Sequence, residues 1–264
     1  MARYDFRQPR LYVDSPLQAG GEVPLDRDAA NYLRNVLRLK SGDGVLAFNG
    51  RDGEWQATLS GDGKRLALAL GAQARPQPAP ADLHYLFAPI KHARLDYMVQ
   101  KAVELGASKL QPVITRYTQV SRVNVERMHA NAIEAAQQCG ILALPECAEP
   151  LAFAAMLERL HADRLLIFCD EEAEVKNPVV ALGGDRELPS ALVPVTVRRA
   201  ARLAVLIGPE GGFSEDERAA LLKRPNTVRL SLGPRVLRAD TAAVAALTLV
   251  QAVLGDWRAG GEVG

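Results

Sequence analysis

The chain has 264 residues, 48% of them apolar and 24% charged, with a net charge of +1. That balance supports a sizeable core and excludes a disordered or collagen-like chain. No run reaches the ~18 consecutive apolar residues a membrane helix needs.

The N-terminal stretch MARYDFRQPR lacks the apolar segment of a secretory signal. Cys139, Cys147 and Cys169 form no C-x-x-C pair and no metal spacing, and an odd number argues against a disulfide framework. These features predict a cytoplasmic protein without a metal. In chain order, Leu11–Val13, Gly44–Asn49, Glu54–Leu59 and Arg65–Leu70 are short apolar or alternating runs bounded by Gly and Asp clusters, and they predict strands. Between the first two, residues 28–39 place Ala29, Leu33, Val36 and Leu37 at helical spacing. A small β-barrel with one helix is expected over residues 1–73. Pro76, Pro78 and Pro80 then alternate, so residues 74–82 form an extended linker.

From residue 83 the pattern changes. Strands are expected at Leu83–Ala88, Leu110–Ile114, Leu165–Cys169, Leu203–Ile207 and Val228–Leu232. Helices are expected at Arg94–Leu105, ending at Gly106, at Val125–Cys139, after Ser214, and from Thr241 onward. Continuous apolar strands alternating with helices predict an α/β domain with a parallel sheet covered on both faces. Glu171–Val197 shows no period and is expected to be a loop.

Two segments carry chemistry. Leu206-Ile207-Gly208-Pro209-Glu210-Gly211-Gly212 follows a buried strand and precedes a capping box, Ser214 to Glu217. Leu230 to Thr241 repeats the plan with Leu232-Gly233-Pro234-Arg235-Val236-Leu237-Arg238. Ligands of parallel sheets bind beyond the strands' carboxyl ends, and glycines there admit close backbone approach. If adjacent, the loops enclose a crevice with Glu210, Arg235 and Arg238 as polar groups; the alternative for both arginines is salt bridging to Asp240 or Glu210. Neither a Walker A loop nor a G-x-G-x-x-G fingerprint occurs, which speaks against a nucleoside triphosphate or dinucleotide site. Basic residues cluster at Arg34, Arg38 and Lys40, and between Lys91 and Arg127. Such clusters are either solvated helix faces or a footprint for RNA. Arg10, Lys91 and Arg94 extend that candidate phosphate track. Tyr4, Phe6 and Tyr12 offer faces for base stacking, with barrel core the alternative fate for Tyr12. His84, His92, His129 and His161 are scattered. Cys139 and Cys169 lack a His signature and read as buried core.

The residues from Leu206 to Ser214, with those from Leu232 to Arg238 and Thr241-Ala242, closely resemble the RsmE family of SPOUT-superfamily methyltransferases. Val36-Leu37-Arg38 with Gly42-Asp43, Lys101 to Ala107, and Ala135 to Gly140 match further family blocks in the same order. Gln137 and Ile141 depart from the family's usual Glu and Arg, and its T-x-R-S segment is here Thr115-Arg116-Tyr117-Thr118. The resemblance implies a PUA-like β-barrel that holds RNA, beside an α/β domain with a deep trefoil knot. It further implies S-adenosylmethionine as cofactor, a homodimer packed through the knot, and methylation of uridine N3 in 16S ribosomal RNA of the small subunit. Leu206, Leu230, Leu232 and Leu237 would wall the adenine, and Gly208, Gly211 and Gly233 would admit it. A non-catalytic RNA-binding or assembly factor, and a methyltransferase acting on another RNA, are the competing readings.

Overall fold

The structure is a computed structural model and describes residues 8–62, 65–120, 122–183 and 202–261. The expected base-stacking residues Tyr4 and Phe6 lie outside the described residues. The chain divides into two compact units, one of residues 1–79 with 133–144, the other of 80–132 with 145–264.

The first unit is a curled sheet of β1 (Arg10–Tyr12), β2 (Glu22–Pro24), β3 (Gly44–Phe48), β4 (Glu54–Asp62) and β5 (Arg65–Arg75). Its order is β1-β3-β4-β5-β2, antiparallel except for the parallel pair β1–β3. Inward residues such as Val45, Ala47, Leu59, Leu66 and Leu68 alternate along the strands and form the core. Three-residue β2 carries Pro24 and leaves too short a pattern to read from sequence.

The helix expected over 28–39 is interrupted. Asp26 caps α1 (Arg27–Asn31), its carboxylate accepting the Ala29 N–H at 2.7 Å. The chain then widens into a π-helical turn, Tyr32–Val36. Arg38 stops it in the left-handed region, with φ of 58°.

Arg10, expected on the RNA track, is instead buried inside this unit. Its Nε donates to the Glu54 carboxylate at 2.6 Å, and its Nη1 donates to the Ala136 and Gln137 carbonyls at 2.5 and 2.8 Å. Arg75 completes the group, with Nε donating to Glu54 at 2.7 Å. The reason is electrostatic: Glu54 is 1% exposed, and a carboxylate at that depth requires cationic partners. Gln137 is drawn in too, its Oε1 accepting the Tyr12 N–H at 3.0 Å. Tyr12 is half-buried, edge-on to Phe48 at 5.8 Å.

In the second unit, β6 (Leu83–Phe87), β7 (Lys109–Ile114), β8 (Glu146–Cys147), β10 (Leu165–Cys169), β11 (Leu203–Ile207) and β12 (Thr227–Leu230) form a parallel sheet in the order β12-β10-β11-β6-β7-β8. The short β9 (Leu151–Ala152) pairs with β7. Helices α2 (His92–Glu104), α3 (Val125–Cys139), α4 (Phe153–Arg159), α6 (Glu215–Lys223) and α7 (Ala239–Val253) connect or follow the strands. Within the expected loop lies α5 (Pro178–Ala181), started by Pro178 and by Asn177, whose side chain accepts the Val179 N–H. Residues 184–197 of that loop lie outside the described residues. Tyr85, Phe87, Leu166, Phe168 and Val205 are among the fully buried strand residues. Cys139 is exposed at the end of α3, not core.

His84 sits in β6, in register with Lys109 and Ala204. Burial pushes its pKa down to about 4; Arg164 adds to the shift and Asp82 opposes it. A depressed imidazole favours the fold above the unfolded value of ~6.5, and that contribution drains as pH falls toward 4. Lowering pH from 7 to 5 is therefore expected to remove about 1 kcal/mol through His84, after discounting for partial exposure. Urea midpoints at both pH values check it: His84→Gln should flatten the difference, and an unchanged pH response in the variant would refute it.

Candidate active site

Because the sheet is parallel, β6, β10, β11 and β12 all end at one edge, and their following loops meet there. After β11, the Ile207 carbonyl accepts the Ala88 N–H at 2.9 Å, which ties this strand end to that of β6. Gly208 follows, where a Cβ would stand 3.0 Å from the Phe213 ring. The turn closes through Gly212 N–H to the Pro209 carbonyl at 2.9 Å, with Gly212 at φ of 69°. Ser214 and Glu217 then form the expected capping box that opens α6.

The loop after β12 begins and ends two residues earlier than expected, because β12 ends at Leu230 and α7 starts at Ala239. Among the described residues, the backbone of 232–237 makes no hydrogen bond. Gly233 turns this loop at φ of 99°, a conformation that costs other residues about 1 kcal/mol or more.

The two loops border adjoining clefts. The larger, ≈ 170 Å³, has walls from Ile207, Gly208, Pro209, Glu210, Gly212, Phe213, Val236 and Leu237. A smaller one, ≈ 40 Å³, is bounded by Leu230, Leu232, Gly233, Arg235 and Leu237. Both include Cys169, Asp170, Glu171 and Ala242. Four expected residues stand elsewhere. Leu206 is fully buried in the core against Leu86, Val113 and Phe168, because alternate residues of β11 face opposite sides of the sheet. Gly211 lies against Tyr117, and Arg238 and Thr241 are exposed beside the clefts without lining them.

The end of β10 was not anticipated from sequence. It carries no glycine motif; only the strand order, with β10 between β11 and β12, places Phe168 to Glu172 at the cleft. Asp170, nearly buried, accepts from Arg229 Nε at 2.7 Å and Arg218 Nη2 at 3.2 Å. Arg218 also bonds Glu172, so the acidic floor is neutralised locally. Burial pushes the Cys169 thiol up to about 12, which keeps it protonated and removes it as a nucleophile. Among the described residues, no His, Cys, Asp and Glu cluster is placed to hold a metal ion.

The arginines are partitioned cleanly. Arg94, at the start of α2, stands 3.6 Å from Glu210 and 3.9 Å from Asp240. It takes the ion-pair role considered for Arg235 and Arg238. Among the described residues, neither of those two guanidinium groups is ion-paired.

In the first unit Arg34 is half-buried, while Arg38 and Lys40 are exposed. Arg38 holds a left-handed backbone that a non-glycine residue adopts at a cost of about 1 kcal/mol. Arg38→Gly is expected to leave the unit as stable as before, or more so, because glycine adopts that backbone without strain. Urea denaturation checks it; a clear loss of stability would show that the Arg38 side chain contributes packing to the fold.

A family model of the RNA methyltransferase domain matches residues 77–251, and one of the RNA methyltransferase PUA domain matches 25–70. The chain is 31% identical to the ribosomal RNA small subunit methyltransferase E of Rickettsia conorii, covering 92% of this chain and 94% of that one. It is 30% identical to the protein of that name from Synechocystis sp., covering 93% and 78%. Among solved structures, the ribosomal RNA small subunit methyltransferase E of Neisseria gonorrhoeae, bound to S-adenosyl methionine, shares the fold with a TM-score of 0.78 at 24% identity, covering 92% and 97%. A Legionella pneumophila protein in complex with the same cofactor aligns with a TM-score of 0.73 at 27% identity, covering 93% and 98%.

Proposed function

Because this chain belongs to the ribosomal RNA small subunit methyltransferase E family, we propose that it transfers the methyl group of S-adenosylmethionine to N3 of one uridine in 16S ribosomal RNA. The observation that carries this reading is the pair of Gly-Pro loops meeting at the edge of the parallel sheet, with the backbone of 232–237 making no hydrogen bond among the described residues and lying between apolar walls.

Those residues fit the cofactor. It has no phosphate, in keeping with two loops that lack phosphate-binding fingerprints. An adenine asks for apolar walls and backbone donors and acceptors. Leu230, Leu232 and Leu237 supply the walls, and the unbonded backbone supplies the donors and acceptors. When bound, the group supplies an electrophilic methyl whose C–S bond breaks as the C–N3 bond forms, leaving the neutral thioether. The chain aligns the uridine with that methyl, keeps water out and handles charge. Uridine N3 must lose its proton, and negative charge then spreads onto O2 and O4. Arg235 or Arg238 stabilises that charge, and Glu210 orients the pocket or receives the proton.

The first unit, through Arg34, Arg38 and Lys40, holds the RNA in this reading, and Lys91 and Arg94 contact it from the second. Val236, 87% exposed at the lip of the cleft, is an apolar contact for a second copy in a homodimer. The reading includes a trefoil knot in the second unit; its support is the strand order and the return of α7 to pack on β11 and α2.

The test incubates purified protein with labelled S-adenosylmethionine and undermodified small ribosomal subunits, followed by mass spectrometry of the nucleosides. Label in 3-methyluridine at one position is the expected result. Label in another nucleoside or another RNA overturns the substrate assignment, and no cofactor binding leaves the non-catalytic RNA-binding reading.

A further inference from the structure

A second, larger cleft of ≈ 370 Å³ adjoins the cofactor cleft. Its walls include Ile90, Lys91, Arg94 and Tyr117, and it shares Pro209 and Glu210 with the first cleft. Nothing in the methyl-donor chemistry uses this space. We propose that it receives the unstacked base of the target nucleotide, with the Tyr117 ring as the stacking face and Lys91 as the phosphate contact. This inference rests on the methyltransferase reading above.

Three observations support it. First, Tyr117 is 50% exposed although it is large and aromatic, so its face is available to a ligand. An aromatic face accepts any base by stacking, which is how proteins hold nucleotides taken out of a strand. Second, the turn that carries the ring is fixed before any ligand arrives. Thr118 Oγ1 accepts the Thr115 N–H at 2.9 Å and lies 2.8 Å from Thr115 Oγ1. The next amide, Arg116 N–H, donates to Glu217 Oε1 at 2.7 Å, which fixes the turn to the capped start of α6. Gly211 gives the ring its seat, since a Cβ there would stand 3.2 Å from Tyr117 Cβ. A ring carried on a backbone fixed in this way loses less entropy on binding than one on a mobile loop.

Third, the charges are arranged for a nucleotide. Arg94 is held by Glu210 and Asp240, whereas Lys91 is exposed and, among the described residues, in no ion pair. Lys91 also stands at the N-cap of α2, whose first-turn amides favour an anion. Pro209 and Glu210, common to both clefts, place a base on Tyr117 beside the donor's cleft.

The test compares Tyr117→Leu with Tyr117→Phe. Leucine keeps the Cβ and Cγ contact on Gly211 but removes the ring, whereas phenylalanine keeps the face and removes only the hydroxyl. Tyr117→Leu is expected to lower kcat/KM for RNA roughly ten- to hundredfold with cofactor Kd unchanged. Tyr117→Phe should stay within about threefold of the parent. RNA carrying 5-iodouridine at the modified position should crosslink to Tyr117 on irradiation. Full RNA turnover in Tyr117→Leu, parallel loss of cofactor binding in that variant, or crosslinks confined to other segments would overturn the proposal. These results differ from failure of the underlying reading, in which the parent protein itself neither binds S-adenosylmethionine nor methylates RNA.

Discussion

Glu54→Ala is expected to destabilise the first unit by about 3–5 kcal/mol, enough to leave it largely unfolded at moderate urea. The carboxylate accepts Arg10 Nε at 2.6 Å, Arg75 Nε at 2.7 Å and Arg75 Nη2 at 2.9 Å. Removing it takes away the carboxylate that stands 2.6 Å from the buried Arg10 guanidinium, and the desolvation penalty of that ion is then less well compensated. The remaining partners do not replace the carboxylate. Among them are carbonyls at the end of α3, Ala136 and Gln137, with Ile141 beyond at 3.1 Å, and the Phe48 ring 4.2 Å from the guanidinium carbon; these carry only partial charge. Arg10→Met is expected to cost less than Glu54→Ala, because Arg75 still neutralises Glu54. Equilibrium urea unfolding monitored at Trp55, the tryptophan of this unit's sheet, gives both values. A loss below about 1 kcal/mol for Glu54→Ala would mean that water already solvates the cluster.

That cluster also marks where sequence reasoning stops. Charge is visible along a chain, but its partners are not: Arg10 meets residues 44 and 126 positions away. A lone arginine near a basic stretch therefore reads as an RNA contact, although its folded environment makes it an internal cap for α3. The Gly-Pro loops are legible for the opposite reason. Their glycines, the capping box and the apolar strands before them are all local, and local chemistry sets the turn before any tertiary contact forms. Leu206 shows the intermediate case. A parallel strand buried on both faces is apolar throughout, so the pattern does not say which residues meet a ligand and which meet the core. The end of β10 is illegible from sequence because strand order, not motif, brings Asp170 to the cleft.

The separation of roles among the arginines leads to the largest expected effect on chemistry. With Arg94 engaged by Glu210 and Asp240, the guanidinium groups of Arg235 and Arg238 are left beside the clefts proposed for the cofactor without ion pairs among the described residues. An unpaired cation on an exposed loop adds little to stability, so its removal should leave folding intact. In a closed site, however, a cation facing the oxygens of a deprotonating uracil strengthens as charge develops. Arg235→Ala combined with Arg238→Ala is therefore expected to lower single-turnover methyl transfer about 10²- to 10³-fold while cofactor Kd changes little. Arg235 borders the smaller cleft and Arg238 stands at the start of α7, so the single variants identify which one acts on the base. Lysine at the acting position should restore only part of the rate, since a point charge cannot bridge two oxygens as a planar guanidinium does. Full turnover in the double variant with normal cofactor affinity would remove both residues from the mechanism. A loss confined to cofactor Kd would instead assign them to binding the methyl donor.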